Sequence, residues 1–298
     1  MTSLIPYIGG KHRIAATIAK HLRSSGCDTL VDVFGGSAAV TLNAGFTKRI
    51  YNDADGDLVN LFRVIADPAS RVQLLKRLRW LPPSRRVFED DYREYLSHGF
   101  SFAHVADPVE RARKTFYRHQ LAFGGKFRSG GFTCSTGDRG HLKEAFRYRN
   151  ALRRLIRLAD FFRATVLENL NYSDVISTYG RRPGVVLFCD PPYLGTENLY
   201  SHRFAKADHI FLAQQLTTCA APSVVTYYDD PVIRSLYPSE RWTWTACEST
   251  KNMQRFRGTI RCDAHWKGTV AKVTEWIISR KANGLTLAGR KDRRHENR

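Results

Sequence analysis

Residues 185–193 read Val-Val-Leu-Phe-Cys-Asp-Pro-Pro-Tyr. Five consecutive apolar residues lack the alternation of a half-exposed strand, which predicts a strand buried on both faces. Such strands belong to parallel sheets covered by helices on each side. Pro191 and Pro192 have no N–H to give a ladder and end the strand there. The run therefore delivers Asp190, the Pro191 carbonyl and Tyr193 to the carboxyl edge of the sheet, where open α/β sheets bind ligands.

The rest of the chain supplies neighbours for that strand. Further strand candidates are Thr29 to Val33, Arg49 to Asn52, Thr165 to Leu167, Ser223 to Tyr227, Trp242 to Cys247 and Val273 to Ser279. Ile14, Ile18 and Leu22 share one helical face, and Leu58, Leu61, Phe62 and Ile65 recur at i, i+3, i+4 and i+7. Strand and helix alternate, which predicts an α/β sheet with helices on both faces. The last two strand candidates have no full helix between them and predict a terminal antiparallel hairpin.

Residues 68–165 break the alternation and are expected to be mainly helical. They hold 21 basic against 9 acidic residues, a net of +12, most of the whole-chain +19. Arg149, Arg153 and Arg157 form a basic stripe expected opposite Leu152, Leu155, Ile156 and Ala159, and the segment from Phe123 to Phe132 mixes glycines, aromatics, Lys126, Phe127 and Arg128. Charge gathered in one inserted segment points to a nucleic-acid clamp. His119 and His141 lie in the same segment within reach of phosphate, although nothing singles them out. The organisation expected is a core in two parts, residues 1–67 and 166–282, an insertion at 68–165, and a basic flexible tail at 283–298.

Several classes drop out. No apolar run approaches the roughly 18 residues of a membrane span, and the N-terminus has no signal-peptide core. Cys27, Cys134, Cys189, Cys219, Cys247 and Cys262 show no CxxC spacing and read as reduced thiols of a cytoplasmic protein. No HExxH or EF-hand pattern occurs, so no metal is expected.

The second chemical constellation is Asp32-Val33-Phe34-Gly35-Gly36-Ser37-Ala38, between a strand and a helix. Glycines there allow a tight turn and close backbone approach to a nucleotide-like ligand, although many such turns carry glycine for steric reasons alone. Asp53 ends the second strand, where an acid accepts hydrogen bonds from ribose hydroxyls; the competing reading makes it a helix N-terminal acid. At the far motif, Asp190 and the Pro191 carbonyl are together able to accept both hydrogens of an exocyclic amine, and Tyr193 offers a face to a planar base. Asp229 and Asp230 read as a strand exit and helix N-cap. Trp242, Trp244 and Trp276 read as core, and Glu275 as a local partner for a basic neighbour.

Taken together, these motifs and their order resemble the Dam-like DNA adenine-N6 methyltransferases, over roughly residues 4–280. Tyr7, Gly9, Gly10 and Lys11, in Pro6-Tyr7-Ile8-Gly9-Gly10-Lys11, resemble the family's motif at the methionine end of S-adenosylmethionine. Phe34 to Ala38 resembles its cofactor loop, Asn52-Asp53 its ribose-binding acid, and Asn171-Tyr172-Ser173-Asp174 the segment bordering the cofactor adenine. Asp190-Pro191-Pro192-Tyr193 resembles its catalytic tetrapeptide. Ala38 replaces the loop's third glycine, and a tuned cofactor affinity is expected. Arg128 resembles a base-reading arginine set beside an intercalating aromatic.

The resemblance implies a Rossmann-like methyltransferase sheet and an enzyme that moves a methyl group from S-adenosyl-L-methionine to N6 of an adenine flipped out of double-stranded DNA, leaving S-adenosyl-L-homocysteine. It implies a cytoplasmic, nucleoid-associated protein, monomeric or dimeric on DNA. Cytosine-C5 chemistry needs a cysteine nucleophile, and the chain has no Pro-Cys pair; Cys189, ending an apolar strand, reads as structural. Cytosine-N4 enzymes resemble Ser-Pro-Pro-Tyr at this place. An RNA methyltransferase and a DNA-binding protein without turnover are the other readings.

Overall fold

The computed structural model describes residues 1–123, 128, 130–133, 143–196, 204–251 and 271–280. Lys126, Phe127, His141 and the tail at 283–298 lie outside the described residues. Seven strands form one sheet in the order β3-β2-β1-β4-β5-β7-β6. They are β1 (Thr29–Asp32), β2 (Lys48–Asn52), β3 (Val166–Glu168), β4 (Val185–Cys189), β5 (Ser223–Tyr228), β6 (Thr243–Lys251) and β7 (Ala271–Arg280). The first five run parallel, and β7 enters antiparallel beside β5 with β6 antiparallel outside it. This is the expected α/β sheet of Rossmann-like methyltransferase type with its terminal antiparallel pair.

The period of two along each strand sorts side chains onto the two faces. Leu30, Val186, Phe188, Val224 and Ile277 pack against Ile14, Ile18 and Leu22, the stripe of α1 (Ala15–Arg23), and against Val40 of α2 (Ala39–Asn43). Val31, Leu187, Cys189, Val225 and Ile278 face the other way, onto the helices that follow in the second half of the chain, α8 (Tyr172–Tyr179), α9 (Lys206–Thr218) and α10 (Pro231–Leu236). Every residue of β4 is buried, as its unbroken apolar run requires. Trp242 is buried, and Trp244 and Trp276 are partly buried against the second cluster.

Between β2 and β3 lie α3 (Gly56–Ala66), α4 (Pro68–Arg79), α5 (Arg85–Ser97), α6 (Pro108–Leu121) and α7 (Lys143–Arg163). The dipeptide Asp-Pro starts α4, α6 and α10: Asp67, Asp107 and Asp230 accept from the backbone N–H of the first turn, and each proline occupies a position whose N–H has no intrahelical partner. Residues 68–165 do not close a core of their own. Leu58, Leu61, Phe62 and Ile65 of α3 share one cluster with Leu74, Phe88, Phe116, Tyr148, Leu155 and Phe162, and Phe62 stacks on Phe162 at 4.3 Å. Each such side chain fully buried is worth roughly 1.5–3 kcal/mol, so the helical segment is welded to the sheet through α3.

One detail of α7 differs from expectation. Ala151, Leu155, Leu158, Ala159 and Phe162 form its buried face, and Ile156 stands 57% exposed beside Arg153 and Arg157. Leu155 and Ala159 set the helix's rotation, and a residue directly after Leu155 is turned about 100° away from it.

Candidate active site

A cavity of about 220 Å³ opens at the carboxyl ends of β1, β2 and β4. Its wall contains Tyr7, Gly9, Gly10, Lys11, Asp32, Phe34, Gly35, Gly36, Ser37, Asp53, Tyr172, Asp190 and Pro192. Segments separated by up to about 180 residues in sequence therefore meet at one sheet edge. Ala38, Ser173, Asp174, Pro191 and Tyr193 are not part of that wall.

The glycine loop is shaped by what it touches. A Cβ on Gly35 would lie 2.1 Å from the Tyr51 ring, so only glycine fits. Gly36 has φ of 48°, its N–H donates to Asp53 Oδ2 at 2.7 Å, and its carbonyl accepts from Tyr51 Oη at 2.8 Å. Asp53 also accepts from the Asp55 N–H at 2.8 Å, while Asp55 itself caps α3. The helix-capping role thus falls to Asp55, and Asp53 ties the glycine loop to the cavity wall. Asn52 binds three segments at once: its Nδ2 donates to the Val33 carbonyl at 2.9 Å and the Leu170 carbonyl at 3.2 Å, and its Oδ1 accepts from the Leu170 N–H at 2.9 Å.

Ala38 adopts φ 58° and ψ 24°, a left-handed conformation in which alanine is strained, and its methyl is buried in the core cluster of α3. The substitution of glycine at this position is therefore felt by the backbone. Asn171 caps α8 by accepting from the Ser173 N–H, which places half-buried Ser173 and exposed Asp174 in that helix's first turn. Tyr172 is the member of the segment that reaches the cavity: its ring stacks on Phe34 at 5.6 Å, and its hydroxyl donates to Asp208 Oδ1 at 3.1 Å. Phe204 closes the trio, edge-on to Phe34 at 5.7 Å.

At the other end of the cavity, Lys11 is buried with its Nζ 2.9 Å from Asp190 Oδ2, 2.7 Å from the Gly9 carbonyl and 4.9 Å from the centre of the Tyr193 ring. Asp190 Oδ1 accepts from Thr226 Oγ1 at 2.6 Å. Pro191 is buried, and so is Tyr193, whose ring meets Tyr228 edge-on at 4.5 Å. Burial pushes the Tyr193 phenol well above its ordinary range, so it stays neutral.

Five carboxylates, Asp32, Asp53, Asp55, Asp190 and Asp208, line this small volume. Asp32 is 1% exposed; Thr41 donates to its Oδ2 at 2.5 Å, and its Oδ1 is buried with no hydrogen-bond partner among the described residues. Burial first, then the charges of Asp190 and Asp53, raise its carboxyl to about 7 against the Thr41 bond that lowers it. Such a wall attracts a cation. S-adenosylmethionine carries an ammonium and a sulfonium, and the partnerless Asp32 oxygen together with the glycine cradle beneath Tyr51 fits a ligand of that charge and outline. Among the described residues no cluster of His, Cys, Asp and Glu is suited to a metal, and no helix is long and apolar enough to cross a membrane.

The positive charge of residues 68–165 divides in two. Arg113 makes two bonds to Asp91 at 2.9 and 3.1 Å, Lys114 reaches Asp91 and Glu94 at 2.8 Å, Arg77 lies 2.7 Å from Asp107, and Arg111 holds Asp57 at 2.6 Å. Arg118 is buried among Phe88, Tyr92 and Tyr95, with Tyr92 nearest at 4.0 Å. His119 is fully buried, which lowers its imidazole to about 3, and its Nδ1 sits 3.3 Å from the Pro6 carbonyl. It is thus a core residue, out of reach of phosphate. Arg149, Arg153 and Arg157 are exposed and have no carboxylate within 4.0 Å among the described residues. Arg128 rests its guanidinium 4.1 Å from the centre of the Phe100 ring, and its carbonyl accepts from Tyr92 Oη at 3.3 Å.

Asn52 and Asn171, named from sequence only as members of their motifs, belong to the cavity wall, and so do Phe204 and Asp208, which no sequence motif points to. Asn52 had a signal, a polar residue closing a buried strand. Asp208 had none, because what brings it there is its contact with Tyr172.

Comparison with known proteins adds to this geometry. The model of the D12 class N6 adenine-specific DNA methyltransferases matches residues 7–253. DNA adenine methylase of Serratia marcescens is 24% identical over 253 residues, 79% of this chain and 86% of that protein. The retron Ec67 DNA adenine methylase of Escherichia coli is 26% identical over 248 residues, 80% of this chain and 81% of that protein. The DNA N-6-adenine-methyltransferase of Escherichia phage P1 is 26% identical over 253 residues, 79% of this chain and 31% of that longer protein.

Proposed function

This chain belongs to the D12 class of N6 adenine-specific DNA methyltransferases, and from that premise we propose that it methylates an adenine flipped out of double-stranded DNA, with Asp190, Pro191 and Tyr193 at the reacting amine. The family acts on DNA and depends on S-adenosylmethionine, which supplies a methyl group bonded to a cationic sulfur. The observation that carries the reading is one continuous cavity wall running from the glycine loop at Gly35 to Asp190 and Pro192.

A target amine cannot be attacked within the base stack, so the adenine must be extruded. Its lone pair is delocalised into the ring. Hydrogen bonds from the amine to an Asp190 oxygen and to the Pro191 carbonyl draw it toward tetrahedral geometry and stabilise the positive charge that develops on nitrogen. Lys11 holds the opposite Asp190 oxygen and keeps the carboxylate oriented. Tyr7, Gly9, Gly10 and Lys11 at one end, Asp32, Phe34, Gly35, Gly36 and Ser37 along the floor, and Asp53 and Tyr172 at the other end are the residues that would hold the cofactor. Ser173 and Asp174 act through the start of α8, and Ala38 through the loop's backbone. No metal takes part, and the product is S-adenosylhomocysteine. Good positioning of the reactants supplies on the order of 7–11 kcal/mol, and no covalent intermediate is needed.

On the DNA side, Lys126, Phe127 and Arg128 form the base-reading segment and Arg149, Arg153 and Arg157 the phosphate stripe. Arg128→Ala is expected to relax sequence preference; an unchanged target profile removes it from the recognition set.

The test is expression in a methylation-free bacterial host followed by long-read sequencing of genomic DNA. N6-methyladenine at one recurrent motif is the expected result. N4-methylcytosine, or transfer confined to RNA in a parallel labelling assay with purified protein, overturns it.

A further inference from the structure

Asp190 is gripped from two sides. Lys11 occupies Oδ2 at 2.9 Å, and Thr226 donates to Oδ1 at 2.6 Å. Lys11 arrives from the N-terminal motif. Thr226 comes from the neighbouring strand: Cys189 pairs with Val225 in the parallel ladder, and one residue further along both strands Asp190 and Thr226 stand side by side.

Thr226 is an unusual choice for its surroundings. It has no solvent exposure, and Val224, Val225 and Tyr227 around it on β5 are buried and apolar. Valine has nearly the shape of threonine and brings no hydroxyl that must be satisfied in the core. The hydroxyl at this place has its partner in the Asp190 carboxylate.

We propose that Thr226 is a positioning residue for methyl transfer, fixing the plane of the Asp190 carboxylate so that its remaining lone pairs face the target amine. The proposal rests on the assignment of Asp190 made above. An ionised carboxylate offers about four lone-pair sites. Lys11 and Thr226 each take one, on different oxygens, which blocks rotation about the last side-chain bond and leaves acceptor capacity for the amine. The Thr226 proton stays on its oxygen throughout; the residue donates a hydrogen bond and exchanges nothing. A fixed acceptor matters most when charge develops on the amine, so Thr226 acts on the rate of transfer and hardly on binding.

The experiment compares full-length wild type, Thr226→Val, Thr226→Ala, Thr226→Ser and Asp190→Ala in single-turnover transfer of labelled methyl from S-adenosylmethionine to unmethylated genomic DNA. Cofactor affinity by calorimetry, DNA affinity by gel shift and melting temperature are measured beside it. Thr226→Val and Thr226→Ala are expected to slow transfer roughly 10- to 100-fold, the effect of one hydrogen bond to a charged group, with both affinities within about twofold of wild type. Thr226→Ser restores the hydroxyl and is expected to return to within about threefold of wild type. Wild-type transfer by Thr226→Val overturns the proposal while Asp190→Ala remains inactive. So does a Thr226→Ser as slow as Thr226→Val, which marks the position as one of packing alone. Transfer by Asp190→Ala at the wild-type rate overturns the assignment of Asp190 itself, and the proposal with it.

Discussion

The sheet edge and the helical segment treat charge in opposite ways. At the edge, five carboxylates share one small cavity, and four of them are bound into it by neighbours: Asp190 by Lys11 and Thr226, Asp53 and Asp55 by backbone N–H groups, and Asp208 by Tyr172. The fifth, Asp32, keeps a buried oxygen with no partner among the described residues. In the helical segment the acids are the structural glue and the bases are in excess. Asp91 and Asp107, with Asp57 of the adjoining α3, are consumed by arginines and a lysine, and the exposed surplus includes Arg149, Arg153 and Arg157 along α7. One region gathers negative charge around a small cavity, and the other leaves positive charge exposed on its surface. The difference teaches that net charge names a partner class but not the residues that meet it, because most of the basic side chains at the centre of this segment are spent on folding.

The strongest way to break this contrast is Asp190→Ala. It is expected to lower methyl transfer roughly a thousandfold or more while DNA binding survives, since in the role proposed for Asp190 it removes an acceptor used at the developing charge; a gel shift beside a labelling assay checks both halves. Next is Arg113→Ala, which strips a buried partner from Asp91. A loss of roughly 3 kcal/mol in urea unfolding is expected, with the salt dependence of DNA binding unchanged. The opposite signature belongs to the triple change Arg149→Gln, Arg153→Gln, Arg157→Gln. Its stability should match wild type, DNA affinity at 0.15 M salt should fall by about 10- to 100-fold, and the log–log salt slope should become shallower by up to about 3. An unaltered slope would take the stripe off the DNA.

A smaller effect is expected from pH. The folded Asp32 carboxyl, at about 7, holds its proton more tightly than in the unfolded chain, where it titrates at its ordinary value of 3.8. Stability of the protein without cofactor therefore falls as pH rises between those two values. A cation bound beside Asp32 favours its ionised form, so cofactor affinity rises as pH increases toward about 7 and levels off above it. The rise is expected to be about tenfold per pH unit at most, and Asp32→Asn should flatten both profiles. Ala38→Gly is expected to change least. Relief of a left-handed alanine, roughly 1–2 kcal/mol, is offset by a lost buried methyl of about 0.8 kcal/mol and by a more flexible unfolded chain. The net shift in stability stays below about 1 kcal/mol. Contrary to the tuned affinity that the sequence suggests, cofactor affinity should not move, because the Ala38 methyl is buried in the core and off the cavity wall; a large change would return that methyl to the ligand side.

Much of the sheet was legible because strand and helix periodicity are local. Val185 to Cys189 is a strand from end to end, and the 14–18–22 stripe of α1 and the 58–61–62–65 stripe of α3 are buried as their spacing requires. The carboxyl-edge position of Asp190 and the turn at Gly36 follow from the same local chemistry: prolines that end a ladder and a backbone that needs φ above zero; Gly35 is required instead by the Tyr51 ring packed on it. Which arginines are spent inside, that His119 is buried, that Ile156 faces out, and that Asp208 and Thr226 reach the cavity wall and Asp190 were decided only by the tertiary structure. Thr226 lies 36 residues from Asp190 and Tyr172 lies 36 from Asp208. A side chain's partner across such a gap is set by how strands register and helices dock. Periodicity determines which face a residue occupies, and packing alone determines what it meets there.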